Sequence, residues 1–511
     1  MKKEWVRILF RRRVYVITML FIQTGFILGA IAGGRLFFRY GSIFLNAVSI
    51  FVCLYILNKR EKSAYKLTWI FLILLFPIFG GCLYIVFHSQ SHSRKLRRLT
   101  KTGAVKCRPL FTLPGTALEE LSRGHRDYLS LARYLQNYAG YPVYTHTQTQ
   151  YFDCGEGFFQ AVLEALEKAE QYIFMEFFIL RHGVMLNPII AALERKAKAG
   201  LDVRLIYDDL GCFMSLAPNF KEHLERNKIK CMVFNPFKPI LSSLQNNRDH
   251  RKILVIDGKV AFTGGINLAD EYINAIDRFG HWKDAAIMVS GEAAWAFTLI
   301  FLHMWNLEQD TKEDHQALYP WKEAACPLPG EGYVQPYADS PLDDENVGEH
   351  VYLHIINNAK TYVYINTPYL VVDDNLLSAL TLAAKSGVDV RIITPHRWDK
   401  KILAITSRSY YRQLLAAGVQ VYEYASGFNH SKTFVSDDQV ATVGTTNLDF
   451  RSLYLHFECG VCIYDNPAVA AIKRDFLETL PNCHRITWED CARNAFQRLL
   501  PDVLRLFAPL M

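Results

Sequence analysis

Apolar runs dominate the first 90 residues: VYVITMLFIQTGFILGAIAGG at 14–34, then further runs at 41–57 and 67–87. A helix of about 20 apolar residues spans a bilayer core of ~30 Å, so the pattern predicts a membrane anchor over 1–90 with three candidate spans. Basic residues precede the first run as they would in a signal peptide, but no small-residue cleavage site leads into a soluble domain. Orientation signals conflict. Lys2, Lys3, Arg7, Arg11, Arg12 and Arg13 favour a cytoplasmic N-terminus, and a collar of Arg94, Lys95, Arg97, Arg98, Lys101, Lys106 and Arg108 favours the same side after the last run. Three full crossings cannot satisfy both. We weight the collar, so the first run is read as re-entrant, or the N-terminus as outside, and the rest of the chain faces the cytoplasm. The collar also attracts anionic headgroups, at ~1 kcal/mol per basic residue.

Past a basic juxtamembrane linker at 91–130, short strand-like runs alternate with amphipathic helices, and the series occurs twice. Gln171-Tyr-Ile-Phe-Met-Glu-Phe-Phe-Ile-Leu, a helix containing Pro188-Ile-Ile-Ala-Ala-Leu-Glu, and Lys198-Ala-Gly-Leu-Asp-Val-Arg-Leu-Ile-Tyr form the first copy. Thr361-Tyr-Val-Tyr-Ile-Asn, Leu376-Leu-Ser-Ala-Leu and Lys385-Ser-Gly-Val-Asp-Val-Arg-Ile-Ile-Thr form the second. Strand, helix and strand joined through a Gly turn make a βαβ unit. The fold class predicted is α/β, with two duplicated lobes at 131–320 and 321–511, each a mixed sheet flanked by helices and related by pseudo-two-fold symmetry. The charge-, Pro- and Gly-rich stretch 307–345 reads as the linker between them.

The copies share His-x-Lys-x-x-x-x-Asp: His250, Lys252 and Asp257 in HRKILVID, and His430, Lys432 and Asp437 in HSKTFVSD. Gly264-Gly265-Ile266-Asn267 and Gly444-Thr445-Thr446-Asn447 follow at matching offsets. One such three-point match arises by chance in ~4% of chains this long and two in ~0.1%, which sets aside a solvated strand end as the explanation. On a strand, residues i and i+2 share a face, so each lobe offers one imidazole and one ammonium together. If the lobes face each other, two His, two Lys and the amides of Asn267 and Asn447 converge on a pocket for a phosphodiester. Such a pocket stabilises a pentacoordinate phosphorane electrostatically. Asp257 and Asp437 complete the motif, but their parity points them away, which reads as structural. The sequence shows no Asp/Glu/His cluster at divalent-metal spacing.

These paired motifs resemble the phospholipase D superfamily. Asn447-Leu-Asp-Phe-Arg-Ser452, His281-Trp-Lys-Asp284, Thr367-Pro-Tyr369 and the apolar N-terminus are similar to the bacterial cardiolipin synthases within it. The resemblance implies an enzyme of the cell membrane, working without cofactor through a phosphohistidine, that converts two phosphatidylglycerol molecules to cardiolipin and glycerol. It implies His250 as nucleophile and His430 as general acid and then base. A carboxylate that fixes each tautomer is implied at the start of a later strand, Asp284 for His250 and Glu458 for His430. Where the family often has Asn two residues before the second carboxylate, this chain has His456, a third imidazole on the face of Glu458. Hydrolysis by a related phospholipase D or nuclease, transfer to another alcohol, and a catalytically silent membrane scaffold are the rival readings.

Charge and cysteines narrow the field. A formal net charge of +7 over 511 residues is too diffuse to imply nucleic-acid binding by itself, and phospholipid and membrane, not nucleic acid, are the expected partners. Eleven cysteines, an odd number without dense spacing, exclude a complete disulfide framework. Cys459 and Cys462 spell CxxC, but on a strand they face opposite sides and no second pair completes a zinc site.

Overall fold

The computed structural model describes residues 35–510 with breaks, the longer ones at 85–96, 104–107, 112–116, 238–242 and 309–314, and only Phe21, Thr24 and Gly25 before them. Apart from those three residues, the candidate span 14–34 lies outside the described residues, as does part of the basic collar. Helices Arg35–Leu57 and Ser63–Leu75 occupy the second and third apolar regions. No helix among the described residues is long and apolar enough to cross a membrane.

The first lobe contains β1 (Thr147–Phe152), β2 (Tyr172–Phe177), β3 (Asp202–Asp208), β4 (Lys230–Phe234), β5 (Arg248–Asp249), β6 (Lys252–Ile256), β7 (Val260–Gly264), β8 (His281–Lys283) and β9 (Ala286–Gly291). The second contains β10 (Tyr333–Asp339), β11 (Tyr362–Asn366), β12 (Leu370–Val371), β13 (Asp389–Pro395), β14 (Gln420–Tyr424), β15 (Gly427–Asn429), β16 (Thr433–Ser436), β17 (Val440–Gly444), β18 (Leu448–Asp449), β19 (His456–Tyr464) and β20 (Cys483–Arg485). Sheet orders β1-β9-β7-β6-β2-β3-β4 and β10-β19-β17-β16-β11-β13-β14-β20 repeat one plan. In each, the βαβ strands pair in parallel and the motif strand β6 or β16 runs antiparallel beside them. The fold is thus a mixed α/β fold in two copies.

One correction concerns the linker read at 307–345, because β10 begins inside it at Tyr333. Pro336 suggested loop. β10 is the edge strand beside β19, and its outer side takes an isolated bridge from Val334 to Tyr144, so the missing N–H of Pro336 interrupts no continuous ladder.

Helix Glu292–Glu308 is apolar around its whole circumference, as a helix enclosed by protein must be. It contributes Trp295, Phe297, Phe301 and Trp305 to a core that also takes Phe174 and Val255 from one sheet and Val443 and Val461 from the other. The two lobes therefore share one interior. Cys459 belongs to this core and Cys462 to the outer core of the second lobe, opposite faces of β19.

Asp257 and Asp437 sit in the turns after the motif strands, with φ of 54° and 53°. Asp257 accepts from the backbone N–H groups of Glu170, Gln171 and Tyr172, each at 2.8 Å. Asp437 does the same for Lys360, Thr361 and Tyr362 at 2.7–3.0 Å. Each carboxylate thus pins a hairpin turn to the start of the neighbouring strand, far along the strand from the histidine. Asp257→Ala should lower stability by about 2–3 kcal/mol, the range for hydrogen bonds to a charged group. Thermal unfolding and turnover per folded molecule check this: a lowered midpoint with turnover retained is expected, whereas lost turnover at an unchanged midpoint makes Asp257 catalytic.

Candidate active site

The two histidines are placed by short strands that cross between lobes. β5 pairs in parallel with the start of β19, and His250 N–H donates to Phe457 O at 2.9 Å. β15 pairs in parallel with β8, and His430 N–H donates to Lys283 O at 2.7 Å. Each histidine is therefore stitched to a strand of the opposite lobe beside a carboxylate, Glu458 near the start of β19 or Asp284 just after β8. His250 Nδ1 lies 3.0 Å from both oxygens of Glu458, and His430 Nδ1 lies 2.6 Å from Asp284 Oδ2. This corrects the expected pairing of Asp284 with His250 and Glu458 with His430: the carboxylates are exchanged. The family resemblance implied the carboxylate of the same lobe, but the inter-lobe ladders bring up the other.

Both pairs are buried, with Glu458 and Asp284 at 0% and His250 and His430 at 7% exposure, so each imidazole holds its carboxylate through Nδ1 away from water. Lys252 Nζ donates to His250 O at 2.6 Å and Lys432 Nζ donates to His430 O. The i, i+2 spacing thus delivers the ammonium next to its imidazole in each copy. Burial, and then Lys252 and Lys432, push the His250 pKa well below its ordinary value. His430 falls to about 4, by burial first and Lys432 second, against the pull of Asp284. Burial also brings Lys252 down to about 8 and Lys432 to about 7. Burial and the neighbouring lysines thus favour the neutral form of both imidazoles. An anionic phosphodiester between the lysines raises the imidazole pKa values by opposite charge, so proton uptake accompanies its binding.

The surroundings of the two imidazoles differ. His430 is enclosed by Trp282, Tyr272 and Phe428, whose ring centres lie 5.4, 5.6 and 5.7 Å away. His250 has Phe178 at 5.0 Å and His456 at 5.5 Å. Thr445, which sequence reading passed over as part of a Gly-Thr turn, donates its hydroxyl to Glu458 Oε2. In the first lobe the matching position is Gly265, where a Cβ would stand 2.0 Å from Asp284 Oδ1. Gly in one copy and Thr in the other follow from which carboxylate each must admit. Of the aromatic neighbours, Trp282 lies inside the quoted His281-Trp-Lys-Asp284, whereas Tyr272 and Phe428 lie outside the motifs.

Asn267 and Asn447 are buried beside the motif strands but have other commitments. Asn267 Oδ1 accepts from Ile179 N–H at 3.0 Å and its Nδ2 donates to Tyr272 Oη at 2.8 Å, which fixes the ring against His430. Asn447 Nδ2 donates to Asp449 at 3.3 Å. The geometry makes these amides braces of the pocket wall. Folding also brings His250, His456 and Glu458 together, each with a ligand atom within 4.8 Å of the others. Only folding brings His250 to that pair.

A family model described as the cardiolipin synthase, PLD-like domain matches residues 162–305 and 352–480. The chain belongs to that family. A second model, the phospholipase D-nuclease N-terminal region, matches 44–87. A protein named cardiolipin synthase from Alkalihalophilus pseudofirmus is 34% identical over 96% of this chain and 97% of its own length. One from Geobacillus is 34% identical over 97% of each. An uncharacterised protein of Streptococcus mutans is 43% identical over 90% of this chain and 99% of its own. The crystal structure of a phosphatidylserine synthase from Haemophilus influenzae shares the fold, with a TM-score of 0.55 at 14% identity over 74% of this chain and 97% of that one.

The lysine pKa values set a falling alkaline limb. As pH rises through about 7 and then about 8 the ammonium groups of Lys432 and Lys252 lose their protons, so kcat/KM should decline there. Initial rates across pH 6–10, a window of about four units around these values, are the check. Lys432→Met should lose roughly 10²-fold or more, and a rate still rising above pH 9, about one unit past the higher value, contradicts the role given to the ammonium charge.

Proposed function

We propose that the chain is a phosphatidyltransferase that makes cardiolipin and glycerol from two molecules of phosphatidylglycerol. The observation that carries this is the pair of crossed histidine–carboxylate contacts, flanked by two buried lysines, in a chain of the cardiolipin synthase family. With Nδ1 of each imidazole on a carboxylate, Nε2 is the nitrogen available to substrate. His250 Nε2 attacks phosphorus of the first phosphatidylglycerol, the P–O bond to glycerol breaks, and His430 gives the departing oxygen its proton. Neutral His430 then takes the proton from a glycerol hydroxyl of the second lipid, whose oxygen attacks phosphorus and breaks the N–P bond. Lys252 and Lys432 carry the charge that develops on the equatorial oxygens.

Membrane attachment through the apolar segments 14–34, 41–57 and 67–87 completes the proposal, with the catalytic lobes on the cytoplasmic face. Supporting it, helix Ser63–Leu75 leaves Leu67, Leu74 and Leu75 exposed while its Tyr65 packs on Phe450 and Tyr454, ring centres 6.0 and 6.3 Å apart. Phe450 and Tyr454 lie three and seven residues after Asn447, so the apolar helix packs on the second lobe just past its motif. On the first lobe Leu210, Phe213, Met214 and Phe237 form an exposed apolar patch. Cys212, in the same turn, bonds to the Phe178–Leu180 segment that packs on His250. Apolar surface next to the site suits a substrate that keeps its acyl chains in a lipid layer.

Mass spectrometry of products tests the reading. Purified chain given phosphatidylglycerol in mixed micelles with excess chelator should yield cardiolipin and glycerol in equal amounts. Phosphatidic acid in place of cardiolipin would make the chain a hydrolase, and activity that requires an added divalent ion contradicts charge stabilisation by the lysines alone.

A further inference from the structure

Glu458 has one neighbour that the transfer reaction leaves unused. His456 lies two residues before it on β19, with Nδ1 3.7 Å from Glu458 Oε1 and 11% side-chain exposure. Neither of its ring nitrogens has a hydrogen-bond partner. Glu458 Oε1 is at the same time 3.0 Å from His250 Nδ1, and Thr445 holds the other oxygen. Two imidazole nitrogens and a carboxylate oxygen within 4.8 Å form a donor set that zinc-class cations accept as three of four ligands. Bonds of ~2.0–2.2 Å put tetrahedral ligand atoms ~3.3–3.6 Å apart. The separations of 3.0 and 3.7 Å bracket that range, and rotation of the unbonded His456 ring closes the third edge.

We propose that His250, His456 and Glu458 form an inhibitory site for a divalent cation of the zinc class, which silences the nucleophile. In the reactive tautomer His250 carries its proton on Nδ1, facing Glu458, and its lone pair on Nε2. A cation bonded to Nδ1 takes the lone pair there, and the ring proton moves to Nε2. The Nδ1–H bond breaks, an Nε2–H bond forms and the ring stays neutral, but Nε2 no longer has a pair with which to attack phosphorus. The inhibition rests on the role proposed for His250; the binding does not.

Cobalt(II) chloride added to the full-length chain in detergent is the probe. The expected result is the intense visible absorption of tetrahedral Co²⁺, displaced by Zn²⁺, with Zn²⁺ also arresting cardiolipin formation until chelator restores it. His456→Asn should lose the absorption and need roughly tenfold or more Zn²⁺ for half-inhibition, measured against its own metal-free rate. Only the pale spectrum of octahedral aqueous Co²⁺ with wild type overturns the site, whether or not the variant folds. So does tetrahedral binding that His456→Asn leaves intact. Tetrahedral binding with undiminished turnover overturns the inhibition and, with it, His250 as nucleophile.

Discussion

Two short parallel ladders between the lobes, β5 on β19 and β15 on β8, hold the site together. Through them each histidine backbone is bonded across the lobe boundary, and each imidazole reaches a carboxylate of the other copy. Neither lobe alone contains a histidine with its carboxylate. The shared core around helix Glu292–Glu308 follows from the same constraint, because the lobes must be fixed to within a fraction of an ångström for these contacts to form.

Duplication supplied two equal half-sites, and the sequence has since made them unequal. Asp284 is the shorter carboxylate and meets His430 at 2.6 Å inside an aromatic enclosure, where Gly265 leaves room for it. Glu458 is longer, and its oxygens serve His250, Thr445 and the approach of His456. A close, dry contact with Asp284 favours an imidazole that has to become positively charged during the reaction. His250, with Phe178 and His456 as its ring neighbours in place of that aromatic enclosure, is the one that bonds to phosphorus. The difference between the roles thus has a physical source in the surroundings, although the motifs are the same.

Much of this was legible along the chain, because periodicity and repetition are local properties. The i, i+2 spacing of His250 and Lys252, and of His430 and Lys432, put both groups on one face. The parity of Asp257 and Asp437 placed them at the turns, where they accept from backbone N–H groups. The exchange of Asp284 and Glu458 was not legible, since one sequence does not say which strand of one copy lies beside which strand of the other. For the same reason His250 could not be grouped with His456 and Glu458, 206 and 208 positions later. Pro336 misled because edge and central strands read alike until the sheet order is known.

The exchange of carboxylates and the division of labour meet in one measurement: trapping the covalent intermediate from phosphatidylglycerol labelled in its diacylglycerol, with alkaline denaturation to preserve the N–P bond. His250→Ala should carry no label, and Glu458→Gln, in the other lobe, should carry little because its nucleophile has lost its partner. His430→Ala and Asp284→Asn should form the adduct slowly and retain it, since the acceptor is no longer activated. If Asp284→Asn loses the label and Glu458→Gln retains it, each carboxylate acts within its own half of the catalytic pair and the crossed assignment fails. If no variant and no wild-type sample carries label, the phosphatidyl group is transferred in a single displacement and the phosphohistidine account is wrong.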